Sequence, residues 1–210
     1  MDIGPRLAQI ALAYAPCSAR GPDDAARERY AQLLIRPSDP ATTAGRAYYL
    51  QNPALSTCAL AVLAFWRLAG CAVPEVVDPY YPDRVGRAFS DVCAVAVRCG
   101  AWRVGCPVPL AAGDVFVLAD DSGNDGHMGL VVGDQGGLEA PFATIEGGQF
   151  DGKGSTAVGG FMRRLVEGRP SASTPARRWL MGSRYVIGTI DASLLPIPDL
   201  ATPDTGDPST

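Results

Sequence analysis

Apolar residues recur at helical spacing through the first half of the chain. We predict helices over 5–15, 22–35, 57–69 and 85–98. The third of these is apolar on all faces from Ala59 to Trp66, which predicts a helix at the centre of a domain. Ser56 before it is a favoured N-cap residue, and Gly70 after it suits a helix end.

From residue 112 onward the pattern changes to short apolar runs that are separated by Gly-rich turns, which is typical of strands. We predict strands over 115–119, 127–133, 142–146, 158–165 and 184–190. Helices come first and strands follow, so the alternation that builds a parallel sheet is missing. The order predicts an α+β fold, in which the helix that carries Cys58 packs on an antiparallel sheet.

Composition narrows the classes of protein that fit this pattern. A chain of 210 residues, 47% hydrophobic and 19% charged, fits a folded domain with modest extra segments and excludes general disorder. The net charge of −4 disfavours a nucleic-acid partner that is held by bulk charge. We also expect no membrane span and no secretory signal, since no long apolar run and no basic leader are visible.

The count of histidines limits the chemistry further. His127 is the single histidine, which excludes sites that need two imidazoles, such as HExxH zinc hydrolases. The six cysteines form no CxxC pair, so we predict no metal and no cofactor. The loop 120–126 partly resembles a calcium loop but lacks the distal glutamate, which favours a polar hairpin.

Four of the cysteines leave two interpretations open. They can pair as disulfides in an oxidising compartment, or they can be small buried apolar residues, which we favour. These four are Cys71, Cys93, Cys99 and Cys106.

Three residues can combine into a catalytic site. Cys58 stands at the start of the buried helix, where the positive end of the helix stabilises a thiolate and a backbone N–H is left for an oxyanion. His127 opens a strand on the same face as Gly129, which leaves space beside the imidazole. Glu146 ends an apolar run in the next predicted strand and can reach the imidazole if the strands pair. Together they supply nucleophile, base and orienting acid.

Each of these residues also has a structural interpretation. Cys58 can be a core thiol, His127 a surface histidine near a turn, and Glu146 a solvated carboxylate at a strand end. Arginines gather late in the chain, where they suit either a charged sheet edge or the carboxylates of a peptide substrate. They are Arg163, Arg164, Arg177, Arg178 and Arg184.

Five stretches of the sequence follow one another in a distinctive order. They are S-T-C-A-L-A-V-L-A-F-W-R-L-A-G at 56–70, A-G-D-V-F-V-L-A at 112–119, G-H-M-G-L-V-V-G at 126–133, T-I-E-G-G at 144–148 and V-G-G-F-M-R-R at 158–164. In this order the chain resembles the papain-like cell-wall amidases of the CHAP and NlpC type. The resemblance covers about residues 45–190.

The resemblance implies a papain-like fold with Cys58, His127 and Glu146 as catalytic residues. Such enzymes cleave amide bonds in peptidoglycan through a Cys–His dyad and a polar third residue. NlpC-type members often use a second histidine there, which this chain lacks, and CHAP-type members often use Glu followed by an amide or acid. Here Gly148 stands at that later position and Gln149 is the nearest amide. Gln51, seven residues before Cys58, is a candidate donor to the oxyanion.

The resemblance also implies an organisation and a function. We expect a helical extension at 1–44, a papain-like cysteine hydrolase domain at 45–192 and a Pro-rich flexible tail at 193–210. The implied function is a cysteine amidase or endopeptidase that acts on peptidoglycan stem peptides. Without a signal peptide, we expect synthesis in the cytoplasm and delivery to the cell wall by phage lysis or a secretion system. An injected toxin of this kind implies a cognate inhibitor (immunity) protein as partner.

Two other functions remain open at this point. A Cys–His acyl-transfer enzyme acting on protein glutamines, transglutaminase-like or deamidase-like, would show the same order of residues. A non-catalytic binding domain of the same fold would keep the motifs but would show no reactivity at Cys58.

Overall fold

A computed structural model describes most of the chain. The described residues are 2–18, 24–34, 58–71, 85–106, 109–119, 126–150, 156–168 and 178–197. Within them the helices are α1 (Ile3–Tyr14), α2 (Asp24–Leu34), α3 (Cys58–Leu68) and α4 (Val85–Arg98). A short 3₁₀ turn, Ala192–Leu194, follows the last strand.

The described strands join into a single antiparallel sheet. They are β1 (Cys17–Ser18), β2 (Trp102–Val104), β3 (Val115–Ala119), β4 (His127–Val131), β5 (Phe142–Phe150), β6 (Thr156–Arg163), β7 (Val166–Gly168), β8 (Arg178–Met181) and β9 (Arg184–Ile190). The strand order is β1-β6-β5-β4-β3-β9-β8-β7, and β2 pairs with β9. Helices and an antiparallel sheet confirm the predicted α+β class.

The predicted elements agree with the observed ones to within a few residues. Helix α4 and strands β3 and β9 have the predicted limits, while β4 ends at Val131 and β5 continues to Phe150. The short strands β1, β2, β7 and β8 were not predicted, because two to four residues are too few to show an alternating pattern.

The larger of the two apolar clusters lies between the helices and one face of the sheet. Phe65 and Trp66 of α3 pack there with Met128, Leu130 and Ile145 from the central strands. Met128 and Leu130 are fully buried in this cluster. Helix α3 lies at the centre of the described residues, as expected for a helix that is apolar on all faces.

Both N-terminal helices contribute to the same cluster. Leu7 and Ala11 of α1 and Tyr30 and Leu33 of α2 are fully buried in it. Strand β1 then pairs with β6, so the N-terminal part of the chain also extends the sheet. Residues 198–210 of the predicted tail lie outside the described residues.

The second cluster lies on the opposite face, where the sheet curls. Its members come from the loop before β3, from strands β3, β4, β5, β8 and β9, and from the link between β6 and β7: Cys106, Leu110, Phe116, Leu118, Val131, Phe142, Leu165, Met181 and Val186. His127 and Gly129 alternate with Met128 and Leu130 and so belong to this face.

Asp114 connects the start of β3 to the end of the neighbouring strand β9. Its carboxylate accepts hydrogen bonds from the Ala111 N–H at 2.9 Å and from the Ala192 N–H at 3.0 Å. This links the turn before β3 to the turn after β9. Gly113, at φ +95°, lies against the backbone of Gly4, so no side chain would fit between α1 and this turn.

Among the described residues, every helix is too short or too polar to span a bilayer.

We expect Gly129→Ala to destabilise the protein by about 1–3 kcal/mol, because overpacking a well-filled region forces its neighbours apart. A Cβ at this position would lie 2.5 Å from the Phe116 ring and 2.6 Å from Cγ of Glu146. Urea unfolding measures the change. Gly159→Ala in β6 is the matched control, since a Cβ there meets no atom within 4 Å. Equal stability of the two variants would contradict this packing.

Candidate active site

Cys58 is the first residue of α3. The backbone N–H groups of a first helical turn lack partners within the helix and carry partial positive charge, which favours a thiolate and can bind an oxyanion. The side chain is buried, with 5% of its surface exposed. The predicted cap Ser56 lies outside the described residues.

His127 is the first residue of β4 and is hydrogen-bonded to the Cys58 side chain. The contact brings together residues that are 69 positions apart in the chain. His127 is buried, so its interpretation as a surface histidine is wrong. The ring also lies beside Phe116, at 6.3 Å between centroids.

Glu146 lies on the neighbouring strand, β5. It completes a hydrogen-bonded series that begins at Cys58 and passes through His127. One oxygen, Oε2, lies 2.8 Å from Nε2 of His127, because β4 and β5 pair as neighbours. Glu146 has no exposed surface, so its interpretation as a solvated carboxylate is wrong. The space beside Gly129 is filled by Glu146 and Phe116, and a side chain there would collide with both.

Two further side chains hold Glu146. Thr144 donates its hydroxyl to Oε1 at 2.7 Å. Arg163, from β6, donates Nε to Oε1 at 2.6 Å and a terminal nitrogen to Oε2 at 2.5 Å. In the sequence alone, Arg163 is one of several arginines late in the chain. Only the register of β5 against β6 distinguishes Arg163 from Arg164, because this register places Arg163 on the same face as Glu146.

These contacts shift the pKa values of His127 and Glu146 in opposite directions. Burial alone would lower the pKa of His127, but hydrogen bonds and charge attraction from Cys58 and Glu146 outweigh it and raise the pKa to about 9. Burial would raise the pKa of Glu146, but hydrogen bonds from Arg163, His127 and Thr144 lower it to about 2. The imidazole therefore holds its proton readily, and the carboxyl group is ionised.

The donors around Glu146 also indicate which imidazole nitrogen faces the thiol. A carboxylate accepts hydrogen bonds, so Nε2 of His127 donates to it. The other nitrogen, Nδ1, is then left for the Cys58 sulfur. In the neutral ring Nδ1 accepts a proton, which is the role of a general base toward a thiol nucleophile. The arrangement is suited to acyl transfer.

The remaining cysteines lie in different environments. No disulfide joins any of the six cysteines, all of which lie among the described residues. Burial raises the pKa of Cys17 to about 12 and the pKa values of Cys71, Cys93 and Cys106 to about 11. Thiols with such pKa values are poor nucleophiles at neutral pH.

The amides that sequence analysis proposed are not part of the described site. Gln51 lies outside the described residues. Gln149 of β5 pairs with Ala157 of β6, after an irregularity in the register that follows Glu146, and its side chain is also outside the described part. Among the described residues, no group of three or more acidic, Cys or His side chains could hold a metal ion. Of the loop that partly resembles a calcium loop, only Gly126 belongs to this described part.

Comparison with protein-family models, with curated proteins and with solved structures finds no match to this chain.

The imidazole of His127 is expected to titrate with a pKa near 9, because Cys58 and Glu146 stabilise its protonated form. Proton–carbon NMR can follow this directly, since the chain holds a single histidine. In Glu146→Gln and in Cys58→Ala the midpoint should move down by about one pH unit or more, as each change removes a partner. A wild-type midpoint near the ordinary value of about 6.5 would contradict the described contacts.

Because Glu146 is ionised in the folded state, we expect the stability of the protein to depend on pH in the acid range. The folded pKa of Glu146 is about 2, below the ordinary value of 4.5, so the carboxylate stabilises the fold above pH 4.5. This contribution, roughly 3 kcal/mol, is lost as the pH falls from 4.5 through the folded value. Urea unfolding from about pH 6 to about pH 2.5 should therefore show the gap between wild type and Glu146→Gln shrinking. A gap that does not depend on pH would contradict an ionised Glu146.

Proposed function

We propose that the protein is a cysteine amidase or endopeptidase of papain-like type, which cleaves amide bonds in peptidoglycan stem peptides. The observation that carries the proposal is the hydrogen-bonded series from Cys58 through His127 to Glu146. Each member comes from one of the sequence stretches that resemble the cell-wall amidases. The helix start, strand start and neighbouring strand also follow the order that the resemblance implies.

The first half of the proposed reaction forms an acyl-enzyme. The Cys58 thiolate attacks the amide carbonyl carbon, so that a C–S bond forms and the carbonyl oxygen becomes an oxyanion. The N–H of Cys58 is one donor for that oxyanion, and Gln51 is the candidate for a second. Protonated His127 then gives its proton to the amide nitrogen, the C–N bond breaks and the amine leaves.

The second half returns the enzyme to its starting state. Neutral His127 takes a proton from water, whose oxygen attacks the thioester carbon. The C–S bond breaks, the carboxylic acid leaves, and the thiolate remains beside a protonated imidazole. Glu146 stays ionised through both halves. Its part is to orient the ring and to stabilise the imidazolium.

The substrate and the route to it rest on the motifs. Stem peptides of peptidoglycan are the substrates that the resemblance implies, and phage lysis or a secretion system is the proposed route to the cell wall. An injected enzyme of this class requires protection of the producing cell. A cognate inhibitor protein is therefore part of the proposal.

Purified wild-type protein should release new fragments from muropeptides, and Cys58→Ala should lower the rate at least about 10³-fold by removing the nucleophile. Mass spectrometry of the products measures both and identifies the bond. Cys93→Ala is the matched control, since Cys93 lies in α4 with a pKa raised to about 11 by burial. It should retain activity.

Muropeptides left intact by folded wild-type protein would contradict the proposed substrate. Release of ammonia from a glutamine-containing protein in the same samples, lost in Cys58→Ala, would establish the deamidase alternative. Neither product, together with a Cys58 that is inert to iodoacetamide, would establish a binding domain.

A further inference from the structure

Glu146 is surrounded by donors on both of its oxygens. Oε1 receives the Thr144 hydroxyl and Nε of Arg163, while Oε2 receives a terminal nitrogen of Arg163 and Nε2 of His127. Arg163 thus contacts both oxygens, and two parallel contacts of this kind fix the plane of a carboxylate. His127 contacts only one of them.

The side chain of Arg163 is itself held in place. Its guanidinium lies 5.0 Å from the centroid of the Phe161 ring, two residues earlier in β6. In the register Arg163 pairs with Phe142, four residues from Glu146 along β5, so the long side chain runs back along the sheet to reach the carboxylate. A guanidinium can reach both oxygens from there, whereas an ammonium is a point charge.

Arg163 also determines where protons can reside. A guanidinium only donates hydrogen bonds, so a protonated Glu146 would place its own hydrogen against a donor on either oxygen. From the described elements packed against it, Glu146 faces His127 of β4 and Arg163 of β6, and Cys58 of α3 lies beyond the imidazole. A permanent cation on one side of the carboxylate keeps it anionic whether or not the imidazole is charged.

We propose that Arg163 is a positioning residue, which keeps Glu146 ionised and fixed so that His127 donates Nε2–H to it and presents Nδ1 to Cys58. This inference rests on the proposed function, because it assumes that the Cys58–His127 pair does the chemistry. Without the guanidinium, a carboxyl group with no exposed surface would take up a proton and could no longer stabilise the imidazolium.

The test is the pH profile of Cys58 alkylation by iodoacetamide, followed by mass spectrometry of the peptide that carries Cys58. The acid limb of this profile reports formation of the thiolate–imidazolium pair. In Arg163→Met we expect the limb to move up by about one pH unit or more, since a neighbouring arginine lowers the pKa of a carboxyl by roughly 1–3. Arg163→Lys keeps the charge and should fall between Arg163→Met and wild type.

The neighbouring exposed arginine provides the matched control. Arg164→Met should give the wild-type profile. A merely structural role of Arg163 would lower the melting temperature and the reactive fraction but would leave the limb in place. Coincident limbs in Arg163→Met, Arg164→Met and wild type would therefore overturn the proposal. Where Arg163→Met does not fold, Arg163→Lys against Arg164→Lys carries the same test, with a smaller displacement expected in the same direction.

The same experiment separates this inference from the proposed function. If wild-type Cys58 reacts like a free thiol at every pH and His127→Ala changes nothing, the Cys–His pair fails and the proposed function fails with it. If wild-type Cys58 reacts rapidly at neutral pH and only the Arg163→Met displacement is missing, the role of Arg163 alone fails.

Discussion

The buried charge of Glu146 is the constraint on which the rest of the site depends. A carboxylate with no exposed surface is costly unless donors surround it, and here they come from three adjacent strands. Gly129 leaves room for it, and Arg163 and His127 compensate its charge. The strand register and the chemistry of the imidazole are thus parts of one electrostatic arrangement.

The sheet and the helix contribute different things to this arrangement. The paired strands hold the imidazole and the acid through backbone register, which leaves little freedom in their separation. Helix α3 brings the thiol to them, and its position depends on apolar packing in the larger cluster. The contact between Cys58 and His127 therefore connects the sheet, whose geometry depends on hydrogen bonds, to α3, whose position depends on hydrophobic burial.

Sequence patterns predicted the long elements and the three residues of the series, because helical and alternating periodicities extend over enough residues to be recognised. They did not predict the burial of Glu146 or its contact with Arg163. Both depend on the pairing of β5 with β6, and two consecutive arginines look alike until that register is known. The short strands were not predicted for a related reason, since they form through long-range pairing and not through local preference.

The shared core of α1, α2 and α3 has a consequence for how this protein can be divided. Leu7, Tyr30 and Leu33 are buried in the same cluster as Trp66, so removing α1 and α2 would expose the apolar side of α3 to water. Because the helices share this cluster, we expect unfolding of α1 or α2 to disturb α3 and the Cys58 thiol that it carries. A truncation that removed α1 and α2 would cut through a hydrophobic core.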